Sequence, residues 1–279
     1  MAKTPARGAA PISKENPSPV VGVVDDPCRV LPEAPEAVSA YIAAARAARA
    51  AGAPGPAPSA RLMEAYQGWI RDRMALDFPD ICRWARANRA LAPAGPARVV
   101  FLGDSITEAW TEFDPGLFAG DRANRGVSGQ TTVQMLGRFR SDVLELGPRV
   151  LHLMAGTNDI AGNTGPTTLD RIAGNVATMV ELAQGRGVRV VLGATPPAGL
   201  FAWRPSLAPA GQIVALNDRL RAMAGAQALV WADYHSALAA SDGSMRAGLS
   251  EDGVHPNAEG YRLMRPVAER AIAAALQSP

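Results

Sequence analysis

From residue 97 onward one pattern recurs that leaves few folds open to the chain. Short β-branched and aliphatic runs, ARVVFLG (97–103), ANRGV (123–127), PRVLHLMAG (148–156), VRVVLGAT (188–195) and ALVWADY (228–234), alternate with helical stretches near 130–146, 167–185, 209–225 and 257–277. Strands that are apolar along their whole length are covered on both faces, and helices between them supply that cover. Crossovers of this length are right-handed. The pattern therefore predicts an α/β fold, a three-layer α/β/α sandwich around a five-stranded parallel sheet, with no internal repeat.

The residues before that point have a different texture. Residues 1–35 are rich in Pro and Ala without sustained periodicity and read as an extended arm. PEAVSAYIAAARAARAAG (35–52) favours a helix that stops at glycine, and APGPAPSA follows as a linker. Residues 60–91 read as one or two amphipathic helices, with Leu62, Tyr66, Trp69, Ile70 and Met74 forming a packing stripe. The organisation expected is an N-terminal arm and helical extension over 1–94 and a main domain over 95–279.

Composition narrows the classes further. A chain of 279 residues, 48% hydrophobic and 19% charged, has room for one large domain or for a domain with an appendage. A net charge of +2 with scattered arginines argues against nucleic acid as a partner. No apolar run approaches the roughly 18–20 residues that cross a bilayer, so no transmembrane segment is expected. The first residues hold no apolar stretch of signal-peptide length; as written the chain reads as cytoplasmic, or as periplasmic or secreted if a leader was removed. Cys28 and Cys82 lie outside any Cys-x-x-Cys pair and away from histidine, so neither a metal nor a cofactor is expected. They read as two separate thiols or as one disulfide.

Ligands of open α/β sheets bind outside the carboxyl ends of the strands, and there the polar residues collect. The first strand runs into Gly103-Asp104-Ser105, the second into NRGVSGQTT, the third into GTND (156–159), and SEDGVHPNAEG precedes the last helix. Taken alone, Gly-Asp-Ser is ordinary strand-to-helix turn chemistry. Four such loops converging on one edge point instead to a nucleophilic site. Ser105 is a candidate nucleophile, feeble without a base to take its proton. Spacing leaves two candidate bases. His255 is held on a loop by Pro256, with Asp252 three residues earlier to steady its ring and Asn257 to cap the final helix; His235 has Asp233 two residues earlier. His152, inside a strand, reads as a buried histidine. Asp104 reads first as a structural hydrogen-bonder at the turn and second as a catalytic acid. Asp159 reads first as the cap of the turn that follows it and second as a poorer partner for the histidine. An oxyanion would find donors in the backbone N–H groups of Ser105 and Gly129 and in the Asn158 amide. TPPAGLFAWRPSLAPAG (195–211) reads as an ordered surface loop or as a wall over the site.

In order and spacing, FLGDSITEAW, NRGVSGQTT, GTND and DGVHP resemble the four sequence blocks of the SGNH (GDSL) hydrolase superfamily, serine esterases and lipases on a flavodoxin-like sheet. The resemblance covers about residues 95–275. It implies Ser105, Asp252 and His255 as the catalytic triad, Ser105, Gly129 and Asn158 as the oxyanion hole, and a strand order of 2-1-3-4-5. It also implies cleavage of carboxylic esters through an acyl-enzyme, on a small-molecule or carbohydrate ester with a short acyl group such as acetyl. Two other functions fit the same residues: acyl transfer to an acceptor other than water, and binding of a carbohydrate or partner without turnover.

Overall fold

The computed structural model describes residues 22–53, 55–91 and 98–277, so much of the expected N-terminal arm lies outside the described residues. The chain divides into two compact units, Met1–Leu31 and Pro32–Pro279. Among the described residues of the first, the 3-10 turn Pro27–Val30 is capped by Asp26, whose carboxylate accepts from the Cys28 N–H at 3.0 Å. Both cysteines are disulfide-bonded, which sets aside the reading of two separate thiols.

The second unit begins with three helices, α1 (Glu36–Ala50), α2 (Ala60–Leu76) and α3 (Cys82–Leu91). Five parallel strands follow: β1 (Val99–Gly103), β2 (Arg122–Gly126), β3 (Val150–Met154), β4 (Arg189–Gly193) and β5 (Val230–Ala232), in the order β2-β1-β3-β4-β5. Gly103 is in register with Gly126 on one side and Met154 on the other, so these strands end level and their exit loops share one edge. Between and after the strands lie α4 (Ser105–Phe113), α5 (Thr132–Gly137), α6 (Phe139–Asp142), α7 (Thr157–Ile160), α8 (Leu169–Gln184), α9 (Ala210–Ala226), α10 (Tyr234–Leu238) and α11 (Ala258–Gln277).

Successive strand residues point to opposite faces, and the core divides accordingly. Val100, Leu102, Leu151, Leu153, Val190 and Leu192 pack with α5, α8 and α9 through residues such as Met135, Val176, Met179 and Leu216. Val99, Phe101, Val150 and Val191 pack with α4, α10 and α11 through Trp110, Leu238, Met264 and Ile272. That is the predicted three-layer sandwich.

Several helical details differ from the sequence reading. The single helix expected over 130–146 is broken into α5, α6 and a 3-10 turn, Leu144–Leu146. Arg138 stands at the first break. Its wholly buried guanidinium turns inward to the carbonyls of Gly103 and Arg125 and to Asp142, tying the ends of β1 and β2 together. α4, α7 and α10 lie outside the helical stretches read from the sequence, although Gly-Asp-Ser has the chemistry of a strand-to-helix turn; α4 and α10 start directly at strand exits, capped by Asp104 and Asp233 respectively. α1 and α3 lie against the part of the sheet that carries β2: Arg49 of α1 pairs with Glu112 of α4, and the Trp84 ring N–H of α3 donates to the Gly126 carbonyl at 3.2 Å. Helical cover of this kind shields an edge strand. No helix among the described residues is long and apolar enough to cross a membrane.

Candidate active site

β1 ends at Gly103 and α4 begins at Ser105, so the turn between them must reverse direction within one residue. Asp104 makes that turn, its carboxylate accepting from the Ile106 N–H at 2.9 Å. Ser105 is thus the first residue of a helix, where a backbone N–H has no intrahelical acceptor. The turn sits low over the sheet: a Cβ at Gly126 of the neighbouring strand would overlap the backbone of Thr107 and Glu108. The height of the Ser105 hydroxyl is therefore set by main chain resting on main chain.

The loop before α11 brings in the second element. Asn257 caps α11 by accepting from the N–H groups of Glu259 and Gly260, and Ser250 forms an antiparallel bridge with Pro256 that closes the loop. Inside that closure, one Asp252 oxygen accepts from the Ser250 hydroxyl and from the N–H groups of Val254 and His255. The other lies 2.6 Å from His255 Nδ1, and His255 Nε2 lies 2.9 Å from Ser105 Oγ. A carboxylate only accepts, so Nδ1 carries the proton and Nε2 presents its lone pair to the serine hydroxyl. Burial pushes the Asp252 carboxyl up, but the His255 ring and the two backbone donors outweigh it and hold the group well below the usual carboxylate range.

The third element comes from the exits of β2 and β3. Gly129 adopts φ +79°, a left-handed conformation that suits glycine, and its N–H has no acceptor among the described residues. Asn158, in α7, donates its amide to the Gln130 carbonyl at 3.0 Å and to Asp104 at 3.3 Å. Asn163 bridges the two, giving its amide to the Gly129 carbonyl at 3.0 Å and to Asn158 Oδ1 at 2.9 Å. Asp159 does not cap its own turn as expected. It reaches across to α5 and accepts from the Thr132 N–H and hydroxyl. Burial raises both Asp104 and Asp159 to about 6, against the hydrogen bonds that each receives.

The structure thus gathers Ser105, Asp252 and His255, and sets Asn158 on Gln130 beside the loop of Gly129. It does not bring His235 into that set: Asp233 is committed to capping α10 through Ser236. His152 is buried with its Nε2 2.6 Å from the Tyr234 hydroxyl, and burial lowers it to about 3. The loop after β4 does border the site. Phe201 is buried, Trp203 stacks on it, and the Trp203 ring lies 6.3 Å from that of His255. Two residues at the site were not singled out by sequence. Asn163 follows GTND by only four positions, and Glu108 lies within the first block, three residues after Ser105 and so on the same face of α4; that helical spacing was the available signal.

Residues 101–263 match the model of the GDSL-like lipase/acylhydrolase family. A Bacteroides fragilis protein assigned to the acylhydrolases is 40% identical in sequence and has a TM-score of 0.70, with 72% of this chain and 99% of that one covered. A GDSL-like lipase of Bacteroides thetaiotaomicron is 38% identical with a TM-score of 0.68, over 71% and 99% of the two chains. The acetylxylan esterase Axe2 of Geobacillus stearothermophilus shares the fold at 19% identity and a TM-score of 0.52, over 64% and 95%. The uncharacterized lipoprotein YqeF of Bacillus subtilis is 35% identical over 75 residues, which are 26% of this chain and 31% of that relative.

Proposed function

The chain belongs to the GDSL-like lipase/acylhydrolase family and is an acyl-ester hydrolase, and from that premise we propose a serine mechanism through an acyl-enzyme. Ser105 Oγ attacks the ester carbonyl carbon while its proton passes to His255 Nε2, and the Asp252 carboxylate stabilises the imidazolium that forms. The carbonyl oxygen becomes an oxyanion, held by the N–H groups of Ser105 and Gly129 and by the Asn158 amide. Both protons of that amide have acceptors in the resting site, so the longer contact, 3.3 Å to Asp104, is the one it shares with the oxyanion. When the C–O bond breaks, His255 returns its proton to the leaving alcohol. Water then attacks the acyl-serine, gives its proton to His255 and releases the carboxylic acid and free Ser105.

The observation that carries this reading is the contact series Ser105 Oγ to His255 Nε2, 2.9 Å, and His255 Nδ1 to Asp252, 2.6 Å. An organophosphonate followed by mass spectrometry tests it. The expected result is one adduct on Ser105, absent in Ser105→Ala and greatly slowed in His255→Ala. No adduct on folded protein, or an adduct elsewhere, overturns the mechanism.

We infer a short acyl group, acetyl groups on carbohydrate among them. The partly exposed Trp203 ring beside His255 supports the carbohydrate part of this reading, since an aromatic ring is a surface against which a sugar can pack. A panel of p-nitrophenyl esters run beside acetylated sugars tests it. Turnover of the acetate at least about tenfold above that of the octanoate is expected, and the reverse order overturns the inference.

A further inference from the structure

We propose that Glu108 is a positioning residue that sets the loop of Gly129, and that α1 and α3 act on the site through it. The inference rests on the reading of the Gly129 N–H as an oxyanion donor. Glu108 stands on α4 one turn beyond Ser105. One of its carboxylate oxygens accepts from the Ser128 N–H at 2.8 Å and from the Ser128 hydroxyl at 2.5 Å. Its other oxygen takes Arg46 of α1 at 3.2 Å and an ion pair from Arg83 of α3. Ser128 immediately precedes Gly129. A carboxylate on the nucleophile's own helix therefore grips the residue next to the proposed donor, and two arginines from outside the family-matched segment grip the carboxylate.

The arrangement has the composition that such a task needs. The Glu108 side chain is only 12% exposed, and a buried charge must be paired and hydrogen-bonded to be tolerated. The two guanidiniums and two Ser128 donors meet that requirement. They also leave the carboxylate little freedom to swing. The loop is held elsewhere as well, by Asn163 on the Gly129 carbonyl and by the seat of Gly126 under α4. Asn163 holds the loop on the side of Asn158, and the Gly126 seat and the Asn124 amide hold the end of β2 against α4; Glu108 is the α4 side chain that grips Ser128 itself. Oxyanion donors must be held to within about half an ångström of their productive positions, and a misplacement of about 1 Å costs on the order of 10²-fold. Relaxing Ser128 is thus expected to weaken transition-state binding while leaving ester binding nearly unchanged.

The test compares Glu108→Ala, Glu108→Gln and Arg83→Met with the wild-type chain. It measures kcat, KM and inhibition by a trifluoromethyl ketone, whose adduct with a serine carries an oxyanion. Glu108→Ala is expected to lose about 10- to 100-fold in kcat with KM within about twofold, and to lose ketone affinity by the factor lost in kcat/KM. Glu108→Gln keeps an oxygen acceptor for Ser128 and is expected to recover most of that loss. A folded Glu108→Ala protein with near wild-type kcat overturns the proposal, as does a loss confined to KM or to melting temperature with ketone affinity intact. Should Glu108→Ala not fold, Arg83→Met carries the test: a matched loss of about three- to tenfold in kcat and in ketone affinity supports the proposal, and no change in either overturns it. Asn158→Ala, run alongside, separates two failures. If it retains wild-type turnover, the oxyanion reading falls; if it loses turnover and Glu108→Ala does not, only the role of Glu108 falls.

Discussion

At the strand ends, Asp104, Asn158 and Asp159 are 2%, 4% and 6% exposed, whereas the side chains of Asp252 and His255 on the closing loop are 44% and 38% exposed. The first group is rooted in β1, β3 and their short helices; the second hangs from a bridge and a helix cap. The contrast follows from what each half is proposed to do. Fixed dipoles stabilise a growing charge best where water is excluded and nothing has to reorient. A base must take protons from water as well as from the serine, so it has to stay within reach of solvent. The buried half bears a cost that the exposed half avoids: its two carboxyls are raised to about 6, while Asp252 is held low by its donors.

If that division is correct, substitutions in the two halves should fail in different currencies. His255→Ala should lower kcat by roughly 10⁴- to 10⁶-fold while leaving the melting temperature within a few degrees, measured by steady-state kinetics and calorimetry on the same samples. A large thermal loss would show that the loop supports the fold after all. Asp252→Asn should come next, at about 10⁴-fold, because it leaves the ring in place with the wrong tautomer favoured.

Asn158→Ala reverses the balance. Turnover should drop about 10²- to 10³-fold. Because Asn163, Gln130 and Asp104 each lose a buried partner, unfolding free energy should also drop by about 1–3 kcal/mol, read from urea titration. A purely kinetic defect would erase the distinction between the halves.

The acids give the comparison a pH signature. Asp104 keeps its proton to higher pH when folded than when unfolded. Its contribution to stability is therefore complete below about 4 and is lost as pH rises through about 6, by about 3 kcal/mol at most. Asp252 has the opposite sign: it contributes stability above the ordinary carboxylate range and loses it as pH falls. The slope of unfolding free energy against pH between 4 and 7 should accordingly become more positive in Asp104→Asn than in the wild type. Identical slopes would mean that Asp104 titrates normally. The smallest effect is expected at the rim, where Trp203→Ala should raise KM for an acetylated sugar a few-fold with kcat little changed.

How much of this was legible beforehand depended on how local the cause is. The strands declared themselves because alternate residues of each run serve two different cores, as Val100 and Phe101 do. The meeting of Ser105 with His255 was legible as four polar loops at one sheet edge, but spacing could not separate His255 from His235. That choice turns on the loop before α11, which carries His255 Nε2 to 2.9 Å from Ser105 Oγ. The break at Arg138 was hidden because carbonyls from two strands, distant in sequence, draw a guanidinium inward from a stretch that otherwise reads as helix. Glu108 was hidden for a similar reason, since its partners come from α1, α3 and the exit of β2.

The seat of α4 on Gly126 bears on how such an enzyme can diversify. Because main chain meets main chain at that point, the spacing cannot be adjusted by trimming a side chain there, and any side chain added at Gly126 must displace α4. Bulk near the reacting groups can instead be altered at Trp203, whose partly exposed ring lies beside His255 and away from that seat.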